Sequence, residues 1–310
     1  VVTCKSRGGN YLMATLQTTE TRPGGDSHAD GKAYFETGTN KFIVWNATAG
    51  AWIELDSDGT GAGYVNRWGA SFDGSYDYLT VPHDDSLSLL SAGTFSAWIN
   101  LDSSTVTDYP YIFSKWSGSQ YNYTFFTQVV SQTTGYYRLR YWDGSTAFSS
   151  STDIPKGEWV HVAATIGGGS LNFYVNGSPD GTASMSTGTA HTGDLYIGIS
   201  PANTRAFKGS IDDAAFFNTV LSAPDISKIY NGTAPNGKPT DLTLAASYDT
   251  DRTSNLVGYW RMGDDSNDTA TSGESIATIT DSSGNGNDAA QSDVTKQPTF
   301  ADLTGETIYS

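Results

Sequence analysis

Acidic side chains are the most obvious candidates for catalysis in this sequence. A retaining glycosidase needs two carboxyl groups about 5 Å apart, which Glu residues close together on one strand can supply. Asp212 and Asp213 are adjacent, but successive side chains of a regular strand point to opposite faces of a sheet. The chain has six Glu residues, and no two are near each other: Glu20, Glu36, Glu54, Glu158, Glu274 and Glu306. The sequence therefore predicts a non-enzymatic protein.

Aromatic side chains offer a second chemistry, because Tyr and Trp rings stack on the apolar faces of sugars while Asp and Asn bind the hydroxyl groups. The chain has 18 Tyr and 8 Trp residues, and residues 115–123 concentrate several of them. For any one of these residues, core packing is the alternative interpretation, since aromatic side chains are often buried. The candidate glycan contacts are Trp116, Tyr121, Tyr123 and Trp142.

The charge of the chain limits its partners. The formal net charge is −16, and only 6 of the 33 acidic residues are Glu. Such a field repels phosphate, so binding of nucleic acid or of an anionic membrane surface is not expected. No run of about 18 apolar residues is present, so membrane insertion is not expected either. Acidic loops also attract cations, and Ca²⁺ prefers the oxygens of Asp, Asn and the backbone. For most of these Asp residues, however, the simpler interpretation is surface charge that keeps a β protein soluble.

The first residues indicate where the native protein begins. Cys4 is the single cysteine, so neither an intrachain disulfide nor a thiolate metal site is expected. Residues 1–12 lack the apolar centre of a signal peptide. Residues 7–9 could be encoded by purine-rich codons that resemble a bacterial ribosome-binding site just before Met13. We therefore expect translation to start at Met13, in a bacterial or phage gene, with residues 1–12 as an upstream extension.

Short strands separated by turn residues predict an all-β fold. Between residues 64 and 235, aromatic and β-branched runs alternate with turns such as Asn176-Gly177, a spacing typical of a β-sandwich. One helix is predicted over residues 223–230, where Ser222 and Asp225 form a capping box. The predicted strands are residues 78–81, 94–101, 111–116, 123–130, 136–142, 159–166, 171–175, 195–199 and 210–217.

Several phrases in this stretch carry a specific resemblance. In order along the chain, they are residues 71–82 (SFDGSYDYLTVP), 94–99 (TFSAWI), 157–163 (GEWVHVA), 171–177 (LNFYVNG), 207–213 (FKGSIDD) and 221–226 (LSAPDI). The stretch resembles the laminin-G-like, concanavalin A-like superfamily. The resemblance implies an antiparallel jelly-roll β-sandwich, a fold that usually binds ligands rather than transforming them.

Enzymes on this fold give two further comparisons. The Glu-x-Asp-x-x-Glu strand of its laminarinases is absent from this sequence. Its polysaccharide lyases use Tyr, His and Arg, and Arg138, Arg140 and Tyr141 are close in sequence. No His obviously joins them, because His161 occupies a structural strand of the family.

The third stretch, residues 236–310, repeats family phrases in an unusual place. Residues 256–263 (LVGYWRMG) and 279–288 (ITDSSGNGND) resemble the phrases that normally open such a domain. Either they begin a truncated second copy, or residues 256–290 fold back and complete the sandwich as in a circular permutation. Too few residues follow Asp288 for another jelly roll, so we prefer the second interpretation.

Calcium is the cofactor that the resemblance implies. In relatives, an ion commonly joins the opening Asp-x-x-Gly-Asn loop to an Asp of the closing strand. The matching positions are Asp281, Asn285 and Asn287 with Asp212 or Asp213. The alternative is that Asp281 forms an Asx-type turn and Asp212 accepts hydrogen bonds from backbone amides. Both interpretations are open at this point.

The first stretch, residues 13–58, resembles a short module of bacteriophage tail and fibre proteins. The phrase GKAYFETGTNK at residues 31–41 is followed by a hydrophobic strand and Trp45. A β-meander of about three strands buries little surface, so it is expected to need a neighbour or a symmetry mate. Residues 59–63 (GTGAG) are predicted to be a linker.

Three functional hypotheses follow. The leading one is a non-enzymatic bacteriophage structural protein at the virion surface. Its N-terminal module would attach it to other virion proteins or to its own copies, for example as a trimer, and its jelly roll would present an adhesion domain to host-surface glycans. The alternative is a carbohydrate-binding domain of a bacterial surface or secreted protein. The third, a glycan-cleaving enzyme, is disfavoured because the carboxylate pair is missing.

Overall fold

The computed structural model divides the chain into two compact units, Val1–Val65 and Asn66–Ser310. In the first unit it describes the backbone of six strands. In the second it describes residues 67–303, except residues 90, 106–107, 119, 132–134, 187–191, 203 and 232–240 and the side chains of 131 and 246.

The described strands of the first unit form two small sheets. Strand β1 (Val2–Lys5) pairs antiparallel with β2 (Tyr11–Ala14). The second sheet has the order β3 (Gln17–Thr19), β4 (Ala33–Glu36), β5 (Lys41–Asn46) and β6 (Ala51–Leu55). Strands β4, β5 and β6 are antiparallel neighbours and correspond to the predicted meander, while β3 joins β4 in parallel.

The second unit consists mainly of short strands. They are β7 (Trp68–Asp73), β8 (Leu79–Val81), β9 (Ala92–Leu101), β10 (Tyr111–Ser117), β11 (Gln120–Ser131), β12 (Tyr136–Trp142), β13 (Ala147–Ser149), β14 (Trp159–Gly167), β15 (Ser170–Val175), β16 (Ser178–Ser184), β17 (Leu195–Ile197), β18 (Lys208–Phe217), β19 (Leu256–Trp260), β20 (Thr278–Ile279), β21 (Ala289–Ala290) and β22 (Thr299–Asp302). Helix α1 spans Ala223–Asn231. Short 3₁₀ turns lie at Asp85–Leu87, Ala245–Ser247 and Thr253–Asn255.

These strands form the two antiparallel sheets of a sandwich, which confirms the predicted fold class. The back sheet has the order β16-β15-β14-β9-β18-β7-β22, with β19 also paired to β18. The front sheet has the order β13-β12-β11-β10-β17-β8-β21-β20. Non-consecutive neighbours such as β9 and β18 show that the chain crosses repeatedly between the sheets, as in a jelly roll.

Strand alternation fills the space between the sheets. On β12, Tyr137, Leu139 and Tyr141 are buried, whereas the residues between them are half-buried, because alternate side chains point to opposite faces. Aromatic rings from the two sheets meet in the core: the Phe113 and Phe216 centroids are 4.9 Å apart. Strands β15 and β16 are joined through Asn176 and Gly177, whose positive φ angles of 48° and 71° suit a two-residue hairpin turn.

The C-terminal segment folds back and completes both sheets. Strand β19 pairs with β18 and β22 pairs with β7 in the back sheet, while β21 pairs with β8 in the front sheet. Trp260 is fully buried in the shared core, and its ring nitrogen donates a hydrogen bond to the Asn287 carbonyl oxygen at 2.8 Å. This is the predicted fold-back and not a separate second copy.

Helix α1 begins with the predicted capping box. The Asp225 amide donates to Ser222 Oγ at 3.2 Å, and the Ser222 amide donates to Asp225 Oδ2 at 3.2 Å, so two backbone donors at the start of the helix are satisfied. Within the described part of the chain, no helix has both the length and the apolar character of a membrane span.

Candidate functional site

The outer face of the front sheet brings together most of the residues that the sequence singled out as glycan contacts. Ser114 pairs with Thr124, and Thr124 pairs with Trp142, so these three side chains share one side of the sheet. Asn122 and Arg140 precede Thr124 and Trp142 by two residues and therefore lie on the same side. We call this surface the front face; its opposite side is the core.

Three predicted aromatic residues lie together at one end of the front face. Trp116 and Tyr121 are register partners at the start of β11, and their rings stack with centroids 5.1 Å apart. The Trp142 ring meets Tyr121 edge-on at 6.2 Å. All three side chains are half-buried, so each has a ring supported by neighbours and a part that remains exposed. Such a surface is suited to stacking on a planar or apolar ligand.

The fourth aromatic candidate, Tyr123, is a core residue, and its prediction as a glycan contact is corrected. Its side chain is fully buried, its ring centroid is 4.7 Å from that of Phe95, and its hydroxyl donates to the Leu87 carbonyl oxygen at 3.1 Å. The reason is alternation: Tyr123 and Phe125 point inward, whereas Asn122 and Thr124 point outward.

Buried polar atoms without partners mark the front face. Within the described part of the protein, Trp116 Nε1, Asn122 Nδ2 and Oδ1, Thr124 Oγ1 and Arg140 Nε are inaccessible and form no hydrogen bond. Leaving a buried polar group unsatisfied costs about 1–3 kcal/mol, and native structures rarely leave several in one place. These atoms are covered in the described structure, so a polar ligand can pair with them only after a local side-chain movement.

Sequence reasoning did not select Asn122 or Thr124, although a signal was present. In the run Asn122-Tyr123-Thr124-Phe125, polar residues alternate with aromatic ones. This is the pattern of a strand with one face in the core and the other facing solvent or a ligand. The aromatic residues of such a strand fill the core, and its polar residues are the better site candidates.

The lyase-like group of residues is divided between the two sides of the front sheet. Tyr141 is buried in the core, whereas Arg138 and Arg140 alternate with it and lie on the outer side. The one histidine considered for such a group, His161, lies fully buried on β14 of the back sheet. The described structure therefore does not assemble a Tyr, His and Arg site from these residues.

Lys115 connects two loops beside the front face through hydrogen bonds. Its side chain is buried, and its Nζ lies 3.0 Å from His83 Nδ1 and donates to the Gly193 carbonyl oxygen at 2.5 Å. Burial lowers the pKa of Lys115 to about 8, although Asp194 acts in the opposite direction. The lysine thus joins the segment after β8 to the segment before β17.

Asp281, the central residue of the predicted calcium site, is saturated by hydrogen bonds. Its Oδ1 accepts from the Tyr259 and Ser283 amides at 2.9 and 3.0 Å. Its Oδ2 accepts from Ser283 Oγ and the Asn287 amide at 2.8 and 3.0 Å. A carboxylate has about four acceptor positions, so these four donors occupy them. The bond from residue 283 to residue 281 is the Asx-type turn that the sequence left as the alternative.

The two predicted asparagine ligands hold the same segment against the sheet. The Asn285 side-chain amide donates to the Leu256 carbonyl oxygen at 2.9 Å. The Asn287 side-chain amide donates to the Val257 carbonyl oxygen at 2.7 Å. Both acceptors belong to β19, so hydrogen bonds connect the loop to the strand directly.

The two predicted aspartate ligands lie on β18, where the strand is irregular. Asp212 Oδ1 accepts from the Asp213 amide at 2.7 Å, and Asp213 Oδ1 accepts from the Tyr259 hydroxyl at 2.6 Å. Asp213 has a φ of 44°, and the register with β9 shifts between Asp212 and Ala215. Because of this bulge, the simple alternation argument does not apply to this pair.

The predicted ligands do not fit a calcium site in this arrangement. Among residues 67–303 as described, no group of three or more His, Cys, Asp or Glu side chains is placed to hold a metal ion. Asp281 and the two asparagines instead have hydrogen-bonding roles, which support the Asx-turn interpretation. Calcium binding itself stays a prediction, which a chelation experiment tests.

With the sandwich and its front face described, the sequence can be compared with known families. The profile of the concanavalin A-like lectin/glucanases superfamily (Laminin_G_3) matches residues 73–227, which is half of the chain. The chain belongs to this superfamily. The matched segment contains the front-face residues named above, while the superfamily profile ends before β19, β21 and β22, which complete the sheets here.

Solved structures are similar to this chain at low sequence identity. A proposed carbohydrate binding protein from Bacteroides ovatus is 16% identical, with 91% of this chain and 72% of that chain covered and a TM-score of 0.54. A heptameric pentraxin from Limulus polyphemus is 22% identical over 56% of this chain and 88% of its own, with a TM-score of 0.43.

A further similar structure is domain 4 of an extracellular arabinanase from Geobacillus stearothermophilus, in complex with arabinotriose. It is 20% identical over 51% of this chain and 74% of its own, with a TM-score of 0.40. A search of curated proteins found no match to this chain.

Proposed function

We propose that the chain is a non-catalytic carbohydrate-binding protein of this superfamily and that it binds glycan on the front face. The observation that carries the proposal is the combination of half-buried aromatic rings with buried polar atoms that lack partners. Trp116, Tyr121 and Trp142 supply the rings, and Asn122 and Thr124 supply unpaired donors and acceptors. The similarity to the proposed carbohydrate binding protein of Bacteroides ovatus supports the same class of function.

The chemistry of the front face matches that of a sugar. A pyranose ring has an apolar face, which an indole or phenol ring can cover, and a rim of hydroxyl groups, which need hydrogen bonds when water is removed. Asn122 has both a donor and an acceptor without a partner, and a local movement that exposed them would let this side chain bind a hydroxyl group. The cost of leaving these atoms unpaired would be removed when a ligand binds.

Binding without hydrolysis is part of the proposal. The adjacent carboxylates Asp212 and Asp213 are buried and belong to β18 of the back sheet, away from the front face. Asp143, next to Trp142, already accepts hydrogen bonds from the Ser145 and Thr146 amides. Neither group has the geometry of a carboxylate pair flanking a glycosidic bond.

The location of the protein on a bacteriophage virion is the more detailed part of the proposal. Its support is the resemblance of residues 31–41, at the start of the β4–β6 meander, to tail and fibre proteins. In this setting residues 13–58 attach the chain to other virion proteins or to its own copies, and the front face binds host-surface glycans. Extracellular or cell-surface placement on a bacterium is the alternative. Mass spectrometry of purified virus particles tests the virion location. Absence of the chain from these particles would exclude that location.

The binding proposal is tested with the full chain on a panel of soluble polysaccharides, using affinity electrophoresis and titration calorimetry. Trp142→Ala removes a ring from the front face, whereas Tyr76→Ala removes an exposed ring from the loop between β7 and β8 and serves as the control. We expect Trp142→Ala to weaken binding roughly tenfold or more, given the usual energy of an aromatic contact, and Tyr76→Ala to leave it unchanged. Equal binding by both variants would contradict the proposed site.

A further inference from the structure

Two arginines near the front face have no carboxylate partner among the residues that the structure describes, although the protein has a net charge of −16. Arg140 Nε is buried and unpaired, and Arg205 is exposed. Within the described residues, other arginines are neutralised by neighbours: Arg138 lies 2.8 Å from Asp153, and Arg252 lies 3.1 Å from Asp225. The unpaired cations are therefore a local exception to the acidic character of the chain.

A run of aromatic side chains connects the two arginines. The Arg205 guanidinium lies 4.5 Å from the centre of the Tyr109 ring and 5.7 Å from that of Tyr111. Tyr111 is the register partner of Phe126 on β11, and Phe126 is the partner of Arg140 on β12. Arg140 and Arg205 are therefore linked through neighbouring aromatic residues on one part of the front face, where the Tyr111 and Phe126 ring centroids are 5.1 Å apart.

Arg140 is charged despite its surroundings, and Arg205 is exposed. Burial lowers the pKa of Arg140; Tyr109 raises it, and Arg138 lowers it further, yet a guanidinium group stays protonated in proteins. Arg205 is held over the tyrosines with a φ of 60°, a backbone conformation that non-glycine residues rarely adopt. The fold thus maintains a costly conformation at a residue whose charge has no carboxylate partner among the described residues.

We infer that the glycan bound on the front face is acidic, and that its carboxylate or sulfate group is bound by Arg140 and Arg205. This inference rests on the proposed carbohydrate-binding function and names its ligand class. A guanidinium group donates two parallel hydrogen bonds to an oxyanion, which gives both affinity and orientation. Arg140 and Trp142 are alternate residues of one strand, about 7 Å apart, so one saccharide can contact both. The sugar ring stacks on Trp142 while its acidic group reaches Arg140.

The experiment compares three soluble polymers on the full chain: polygalacturonate, which carries carboxylates, dextran sulfate, which carries sulfates, and neutral dextran. Binding is measured by calorimetry at low and at high sodium chloride concentration. We expect an acidic polymer to bind more tightly than dextran and to weaken as salt screens the charges. Preference for polygalacturonate or for dextran sulfate identifies which acidic group the site takes, and either preference supports the inference.

Variants locate the charge. Arg140→Gln and Arg205→Gln should each weaken binding of the acidic polymer roughly tenfold, the usual effect of losing a charge-assisted hydrogen bond. Arg138→Gln is the matched control, because it removes the same charge from the same strand at a residue already paired with Asp153. An equal loss in the control would show a general charge effect and overturn the inference. Arg205 is exposed, so its variant keeps the test valid where Arg140→Gln fails to fold.

The remaining outcomes separate this inference from the proposed function. Dextran bound as tightly as the acidic polymers, with both arginine variants like wild type and Trp142→Ala impaired, would overturn the acidic ligand and leave glycan binding in place. Binding of none of the three polymers, and of no polysaccharide in the wider panel, would overturn both.

Discussion

The two sheets of the sandwich differ in what covers their outer faces. On the back sheet, Trp98 and His161 are register partners on β9 and β14, and both are buried because Tyr230 of helix α1 packs on them at 5.6 and 5.9 Å. Leu303, after β22, contributes to the same cluster. On the front sheet, Trp116 and Trp142 occupy a similar outward position but are only half-buried.

This difference shows that an outward-facing aromatic residue becomes part of a core or of a binding surface according to whether the chain supplies a cover. The back sheet receives a helix and the C-terminal segment, so its Trp residues contribute stability by burial. The described part of the front sheet leaves aromatic rings and polar atoms for a ligand. The same residue types therefore serve stability on one sheet and, in our proposal, recognition on the other.

The largest expected effect tests this comparison directly. Trp98→Ala should lower the free energy of unfolding by about 3–5 kcal/mol, the usual cost of removing a buried Trp. Trp142→Ala should lower it by less than about 1.5 kcal/mol, because a half-buried ring loses fewer contacts. Urea denaturation of the two variants measures both values. Equal losses of unfolding free energy in the two variants would show that Trp98 and Trp142 contribute equally to stability, which would contradict the proposed difference between the two faces.

The second effect concerns Asp225, which holds helix α1 in place on the back sheet. Asp225 is fully buried at the start of α1 and accepts hydrogen bonds from the Asp249 and Thr250 amides at 3.0 Å and from Arg252 Nε at 3.1 Å. Although burial raises its pKa, the hydrogen bonds from Thr250 and Ser222 outweigh that effect and lower it.

Asp225→Ala should therefore lower the free energy of unfolding by roughly 3 kcal/mol, because it leaves the half-buried Arg252 and several backbone donors unpaired. Asp153→Ala removes an exposed carboxylate from an arginine pair and should cost less than about 1 kcal/mol. Thermal and urea unfolding of the two variants compare them. A similar loss of unfolding free energy in both variants would contradict the role of Asp225 in connecting helix α1 to residues 249–252.

The third effect is a pH dependence of the back face. Burial lowers the pKa of His161 to about 3, and its Nε2 lies 2.9 Å from Ser96 Oγ. The unfolded state binds a proton near pH 6.5 while the folded state does not, so stability is lost as the pH falls from 6.5 towards 3.

Between pH 6.5 and 5 this loss is on the order of 2 kcal/mol. The measurement is the difference in unfolding free energy between the wild type and His161→Gln across this range. As the pH falls, the unfolding free energy of the wild type should decrease relative to that of His161→Gln. A difference that stays constant with pH would show that His161 does not titrate between the folded and unfolded states.

The smallest expected effect concerns the C-terminal loop. Because hydrogen bonds of Asp281, Asn285 and Asn287 hold this loop, a calcium chelator should leave the melting temperature unchanged. Asp281→Ala should lower the melting temperature, because it leaves up to four donors unpaired. A fall of several degrees with the chelator, reversed by added calcium, would restore the predicted calcium site.

The sequence predicted local features accurately where neighbouring residues decide them. Strand β12 has the predicted bounds of residues 136–142, because alternation of apolar and polar residues is visible within seven positions. The capping box at Ser222 and Asp225 also formed as predicted. The prediction of Tyr123 as a glycan contact was wrong, because the sequence near a loop does not show whether an aromatic residue points inward or outward. Asp281 was left open between two interpretations, since its partner Tyr259 lies 22 residues away.

The sequence by itself determined the all-β class and the superfamily, because these depend on short patterns and their order. It favoured the return of residues 256–290 to the sandwich over a second copy, and the strand pairing decided between the two. The tertiary structure alone decided which aromatic residues remain uncovered. It also decided which polar atoms of the described residues have no partner, and that Arg205 lies over the rings of Tyr109 and Tyr111. These properties arise when distant strands pair and a helix covers one sheet and not the other. The front face is therefore a product of packing between segments.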